Sequence, residues 1–149
     1  MALLTLARRP FRDGAMKPEL SALEAHVLER ILAGDRPVLR ILQKQLKRCR
    51  VKSREFTGVG FMTELDLPAD VERVRLCKHE TKVGGVVAAT GGLEHGAGFV
   101  LYLKDGLLDA LEGYSYDETW PQTMQSFELR YTSERERDLD RLEDLAKVD

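Results

Sequence analysis

Between Gly96 and Pro121 the chain reads GAGFVLYLKDGLLDALEGYSYDETWP, and one dipeptide within it constrains the fold more than any other feature. Asp105-Gly106 stands between two apolar runs, a strong short-range signal for a two-residue β-hairpin. A type I′ turn needs positive φ at both central residues, which Gly adopts freely and Asp tolerates. With those two residues as the turn, Lys104 faces Leu107, Leu103 faces Leu108, Leu101 faces Ala110 and Phe99 faces Glu112. Residues directly opposite one another share a face. Phe99, Leu101, Leu103, Leu108 and Ala110 therefore form one apolar surface, and Val100, Tyr102, Asp109 and Leu111 form a mixed one. Burying each large apolar side chain contributes roughly 1.5–3 kcal/mol, which predicts this hairpin at the centre of the core.

Upstream, Leu20, Leu23, Val27 and Ile31 recur at helical spacing, and Leu28 and Leu32 widen the stripe. Ser21-Ala22-Leu23-Glu24 matches a capping box, with Pro18 as an earlier start, and Gly34 is a C-terminal stop. Pro37 opens a second helix whose apolar side is Leu39, Leu42, Leu46 and Cys49, broadened by Val38 and Ile41. Two helices joined by so short a break predict a helical hairpin. The period then changes to 2. Across Ser53–Leu67, Val59, Phe61, Thr63, Leu65 and Leu67 alternate with Gly58, Gly60, Met62, Glu64 and Asp66, which predicts one half-buried strand ended by Pro68. Its glycines point to a bulge or a close backbone approach.

Val71–Glu80 is too mixed to assign. Val83–Thr90 reads as a strand, Gly91–Ala97 as its link to the central hairpin, and Gln125–Tyr131 as an edge strand. Ser133–Val148 reads as a charged helix, with Ser133 and Glu136 as a capping box. Its apolar stripe is only Leu139, Leu142, Leu145 and Ala146, which predicts loose packing. The class that follows is α+β: an N-terminal helical hairpin packed on an antiparallel sheet of four to five strands, then the charged C-terminal helix.

At 149 residues the chain fits one domain with a real core. Residues 1–16 read as a leader without ordered structure, Met16 as an alternative translation start, and residues 17–149 as a single α+β domain. Charge is uneven. Residues 1–58 hold 13 Lys and Arg against 6 Asp and Glu, and residues 59–149 hold 10 against 19. The basic half is spread over amphipathic helices, the pattern of a solvated face and not of a nucleic-acid site. No run of apolar residues is long enough to span a membrane. Cys49 and Cys77 follow no CxxC pattern and read as reduced thiols of a cytoplasmic protein.

Four clusters carry candidate chemistry. The glycine-rich Gly91–Gly98, GGLEHGAG, offers backbone amides to an anion or is simply a flexible connection. His95 with Glu94, and His79 with Glu80 and Cys77, are metal-ligand types at spacings that match no zinc pattern, so no metal and no cofactor is expected. Glu112 falls on the apolar face of the hairpin, where with His95 or Tyr114 it could act as a general base. Its plainer account is an ion pair with an arginine such as Arg54, or a bulge that turns it outward. Finally Tyr114, Tyr116 and Trp120 lie among Asp117 and Glu118, close to Asp109 and Glu112. Aromatic anchors ringed by acids suit an interface with a basic partner. The same cluster would equally plug the end of the core before Pro121.

Pro37-Val38-Leu39, Arg54–Phe61 (REFTGVGF), Gly92–Phe99 (GLEHGAGF), Asp105-Gly106, Leu111–Tyr114 (LEGY) and Trp120-Pro121 together resemble a group of small uncharacterised bacterial proteins. The resemblance spans about residues 30–121. In size and domain type that group is similar to the immunity proteins of bacterial toxin systems. The resemblance implies no catalytic residues. The absence of a catalytic constellation and the acidic aromatic cluster after the hairpin point instead to a non-enzymatic binding protein whose partner is another protein, such as a basic toxin domain, with no nucleic acid or membrane involved. Asp109, Tyr114, Tyr116, Asp117, Glu118 and Trp120 are the expected partner-binding residues. A small enzyme using Glu112 and His95 as acid and base is the alternative, and a structural or oligomeric adaptor the third reading.

Overall fold

The computed structural model describes residues 19–121, 126–132 and 137–146. The expected leader over 1–16 lies outside them, as does the Ser133–Glu136 capping box. The chain runs α1 (Ala22–Ile31), α2 (Pro37–Arg48), β1 (Arg50–Phe56), β2 (Gly60–Asp66), β3 (Glu80–Thr90), β4 (Leu93–Lys104), β5 (Leu107–Ser115), β6 (Glu128–Tyr131) and α3 (Leu139–Ala146). The strands form one sheet in the order β1-β2-β5-β4-β3-β6, and every neighbouring pair is antiparallel. The α+β class and the antiparallel sheet are as expected. The strand number is six, not four to five.

The extra strand comes from Ser53–Leu67, which is a hairpin and not a single strand. Gly58 has φ +92° and sits in the turn between β1 and β2. The alternating pattern continued through the turn and hid it. Gly91–Ala97 is likewise not a link: β3 and β4 turn at Gly91-Gly92, and most of the glycine-rich stretch is paired strand. Gly96, at φ +73°, lies so close to β3 that a Cβ there would come within 2.4 Å of the Ala88 carbonyl oxygen. That close approach is why a glycine is needed inside a strand.

The central turn forms as the dipeptide predicts, with Asp105 at φ 54° and Gly106 at φ 76°. Lys104 faces Leu107 and Leu103 faces Leu108, but then a β-bulge intervenes and Tyr102 faces Ala110. One extra residue on the bulged strand advances the register by one. Leu101 therefore opposes Leu111, and Phe99 opposes Gly113. Leu111 replaces Ala110 on the core face, and Glu112 moves to the outer face opposite Val100 and Met62.

The two N-terminal helices do not form the expected hairpin. Each finds its main contact on the sheet, α1 on β3 and β4 and α2 on β5. Ser21 and Glu24 make the predicted capping box at the start of α1. Gln43 closes the break after α1 by donating to the carbonyls of Leu32 and Gly34 at 2.7 and 3.0 Å. Gln45, buried on α2, ties the helix to the central turn: it donates to Gly106 and accepts from the Leu108 amide at 2.9 Å. Helix α3 docks through a single buried residue of its narrow stripe. Leu142 is buried, and Arg36 at the start of α2 pairs with Asp140 (2.9 Å) and Glu143. One core cluster joins the apolar sides of all three helices to Phe61, Val86, Phe99, Leu101 and Leu111. Among the described residues, no helix is long and apolar enough to cross a membrane.

Candidate functional site

With the described helices on one face, the sheet's other face is lined by its own side chains. Its rows follow from the register. Glu55, Met62, Glu112 and Val100 form one, and Gly60, Tyr114, Gly98 and Val87 the next. The Tyr102 hydroxyl donates to Glu112 Oε1 at 2.7 Å. That bond to a carboxylate, helped by partial burial, pushes the Tyr102 phenol up to about 12. Tyr114 lies over Gly98, where a Cβ would meet its ring at 2.5 Å, and its own ring meets Tyr116 edge-on at 5.7 Å.

Tyr116 is 46% exposed and Val59, in the β1–β2 turn, is 47% exposed. They share one end of the sheet, because the Ser115 amide donates to the Val59 carbonyl at 2.8 Å and the Trp120 amide to that of Gly58 at 2.8 Å. Tyr116 and Val59 are the exposed large apolar side chains among the described residues. Val59 was missed as a surface residue because the alternating pattern assigned it to a buried strand face.

The expected partner-binding residues are only partly brought together. Tyr114, Tyr116 and Asp117 are contiguous, Asp117 at φ 64° in the bend after β5. Glu118 is next to them but occupied. Its carboxylate accepts the Glu94 and His95 amides at 2.7 and 2.9 Å, and these bonds hold it below the usual carboxylate range. Trp120 is buried to 9% exposure and packs edge-on against Phe61 at 5.3 Å, the plug position. Asp109 is exposed at the bulge, seven residues up the strand from Tyr116.

Glu112 and His95 are not brought together. Glu112 pairs across to Val100, five residues along β4 from His95, or about 16 Å at the usual strand rise. Nor does Glu112 pair with Arg54, which lies on the opposite face of the sheet beside Thr63. Among the described residues, no three His, Cys, Asp or Glu side chains gather as metal ligands. His79 bonds Asp105 of the central turn, and the Cys77 amide donates to the Leu145 carbonyl of α3, so both tether the loop before β3.

No protein-family model, curated protein or solved structure matches the chain.

Arg54's true partner is Glu24, a residue whose local role in the α1 cap concealed a second one. Glu24 Oε2 accepts from Arg54 Nε at 2.9 Å and from the Thr63 hydroxyl, while Oε1 accepts from Arg54 Nη2 at 2.6 Å and the Ser21 amide at 2.8 Å. Burial by itself would raise the Glu24 pKa, but the Arg54 bonds and charge, with Thr63 and Ser21, outweigh it and hold the carboxyl below its usual range. The pair fixes α1 to the β1–β2 hairpin at the end of the sheet where Phe61 and Trp120 meet.

Proposed function

We propose that this is a non-enzymatic, cytoplasmic protein-binding domain that masks a basic surface on another protein, as an immunity-type inhibitor of a bacterial toxin does. The observation that carries the reading is the exposed Tyr116–Val59 pair, which continues into a sheet face free of the described helices. Exposed aromatic residues with an apolar neighbour are the usual anchors of protein interfaces. Asp117 beside them, and Glu55, Glu64 and Glu112 on the outer rows, give that face acidic groups to steer a basic partner.

The experiment is capture from a bacterial host lysate, followed by titration of each purified partner. Tyr116→Ala should weaken binding by roughly thirtyfold, the scale of a lost aromatic anchor, with an unchanged melting curve because Tyr116 is exposed. Asp117→Lys should slow association, and added salt should slow it further in the wild type. Trp120→Ala is the wrong probe, since a buried Trp takes stability with it. A partner bound equally well by wild type and both surface variants would refute this face as the interface.

A further inference from the structure

The end of the sheet that holds the Glu24–Arg54 pair also holds a cavity of about 240 Å³, lined by residues from α1, β1, β2 and the segment after β5. Its walls are apolar and aromatic: Phe56, Phe61, Trp120 and Pro121. Its polar lining is Ser21, Glu24 and Arg54. Arg54 lines it and keeps 25% of its side chain exposed. Only one edge of the guanidinium, Nε and Nη2, is spent on Glu24. The other edge, Nη1 with the second Nη2 hydrogen, makes no hydrogen bond to the described residues. That edge has the fork spacing that takes a carboxylate through two parallel bonds.

Trp120, nine-tenths buried, forms part of the cavity wall. The first turn of α1 contributes Ala22 and Leu23 to the lining. The first amides of a helix have no partner within it and carry a positive partial charge of roughly half an elementary charge. Glu24, the one acid present, has both oxygens saturated by four donors. Its charge is balanced by Arg54, which leaves the second edge of the guanidinium as the donor fork that an incoming carboxylate would meet.

We infer that this cavity is a binding site for a monocarboxylate with a compact apolar body, the carboxylate on the free edge of Arg54 and the body among Phe56, Phe61 and Trp120. Size agrees with the chemistry: an apolar cavity of about 150 Å³ is enough for benzene, so the volume here holds a six-carbon body with its carboxylate. Such a group is offered both by a free branched or cyclic acid and by the C-terminal residue of a peptide ending in leucine. The inference stands independently of the outer-face interface, which uses none of these side chains.

Trp120 is the chain's single tryptophan, so intrinsic fluorescence of the full chain reports on the cavity directly. The probes are cyclohexanecarboxylate against cyclohexanecarboxamide, and acetyl-Gly-Leu against its C-terminal amide. The acids should give a saturable change with a midpoint at least about tenfold lower than their amides, a difference of one charge-assisted fork. A stronger response to the peptide acid assigns the source to a chain terminus, and a stronger response to the free acid assigns it to a small metabolite. Arg54→Lys keeps a cation for Glu24 but has no second edge, and should weaken the acid by a similar factor while leaving the amide unchanged. If that variant fails to fold, the acid–amide comparison on the wild type decides alone. No saturable change with either acid, or equal response to acid and amide, overturns the site.

Discussion

Replacing Glu24 by Gln isolates the charge of the carboxylate that joins α1 to the β1–β2 hairpin. Glutamine keeps the side-chain length and an oxygen that can still accept from the Ser21 amide, so most of the cap survives. What goes is the ion pair to Arg54 and the charge on the bond from Thr63. Removing one partner of a buried pair costs about 3–5 kcal/mol, because the other charge is left uncompensated. Glu24 is 2% exposed, but Arg54 is 25% exposed and water relieves part of its loss. The expected cost is therefore about 2–3 kcal/mol at pH 7, or a melting temperature lower by roughly 4–12 °C for a chain of this size.

The pH dependence separates charge from packing. The folded Glu24 pKa lies below its unfolded value, so its ionisation stabilises the fold above the unfolded carboxylate range, near 4.3. That contribution is lost as pH falls through the lower, folded value. Urea midpoints of wild type and Glu24→Gln should differ most at pH 7 and draw together as pH falls below the unfolded carboxylate range. A gap of constant size from pH 7 down to the acid limit would show that the variant lost packing or capping, and would refute the ion pair as the cause.

Two further outcomes follow from the core. Leu101 is fully buried opposite Leu111, so Leu101→Ala should cost about 2–5 kcal/mol in urea unfolding; an unchanged midpoint would contradict the core-face register. Cys49 is buried, and desolvation, with the Glu24 charge nearby, pushes its thiol up to about 12. The exposed Cys77 should therefore react with a disulfide reagent at pH 8 while Cys49 reacts only after unfolding, and two fast equivalents in the native protein would contradict its burial.

What was legible in the sequence is what is decided within a few residues. The Asp105-Gly106 turn and the Ser21–Glu24 capping box need nothing beyond local backbone preference, and both formed. The bulge after Leu108 left no such mark. No glycine announces it, and a single extra residue on one strand is enough to exchange Ala110 for Leu111 in the core and to carry Glu112 to the opposite face. The glycines of Gly58–Gly60 and Gly91–Gly98 were visible, but glycine serves turns, bulges and close approaches alike. Only the partner strand decides which: Gly58 is a turn, and Gly96 is a close approach to Ala88.

The candidate sites divide on the same principle. Tyr114, Tyr116 and Asp117 are neighbours in sequence and remain neighbours in space, so a cluster read from the chain survives folding. Arg54 and Glu24 are 30 residues apart; the pattern assigned Arg54 to Glu112 and Glu24 to the helix cap. Nothing in either neighbourhood asks for the other. Only the tertiary fold, which brings edge strand β1 to the N-terminal end of α1, makes them a pair, and it does so at the place where Phe61 and Trp120 close the core. Trp120 shows the converse: an aromatic among acids looks like a surface anchor, yet its backbone bond to Gly58 turns the ring inward onto Phe61. A hairpin turn that captures the chain after β5 thus converts an apparent interface residue into a cavity wall, and leaves the exposed role to Tyr116.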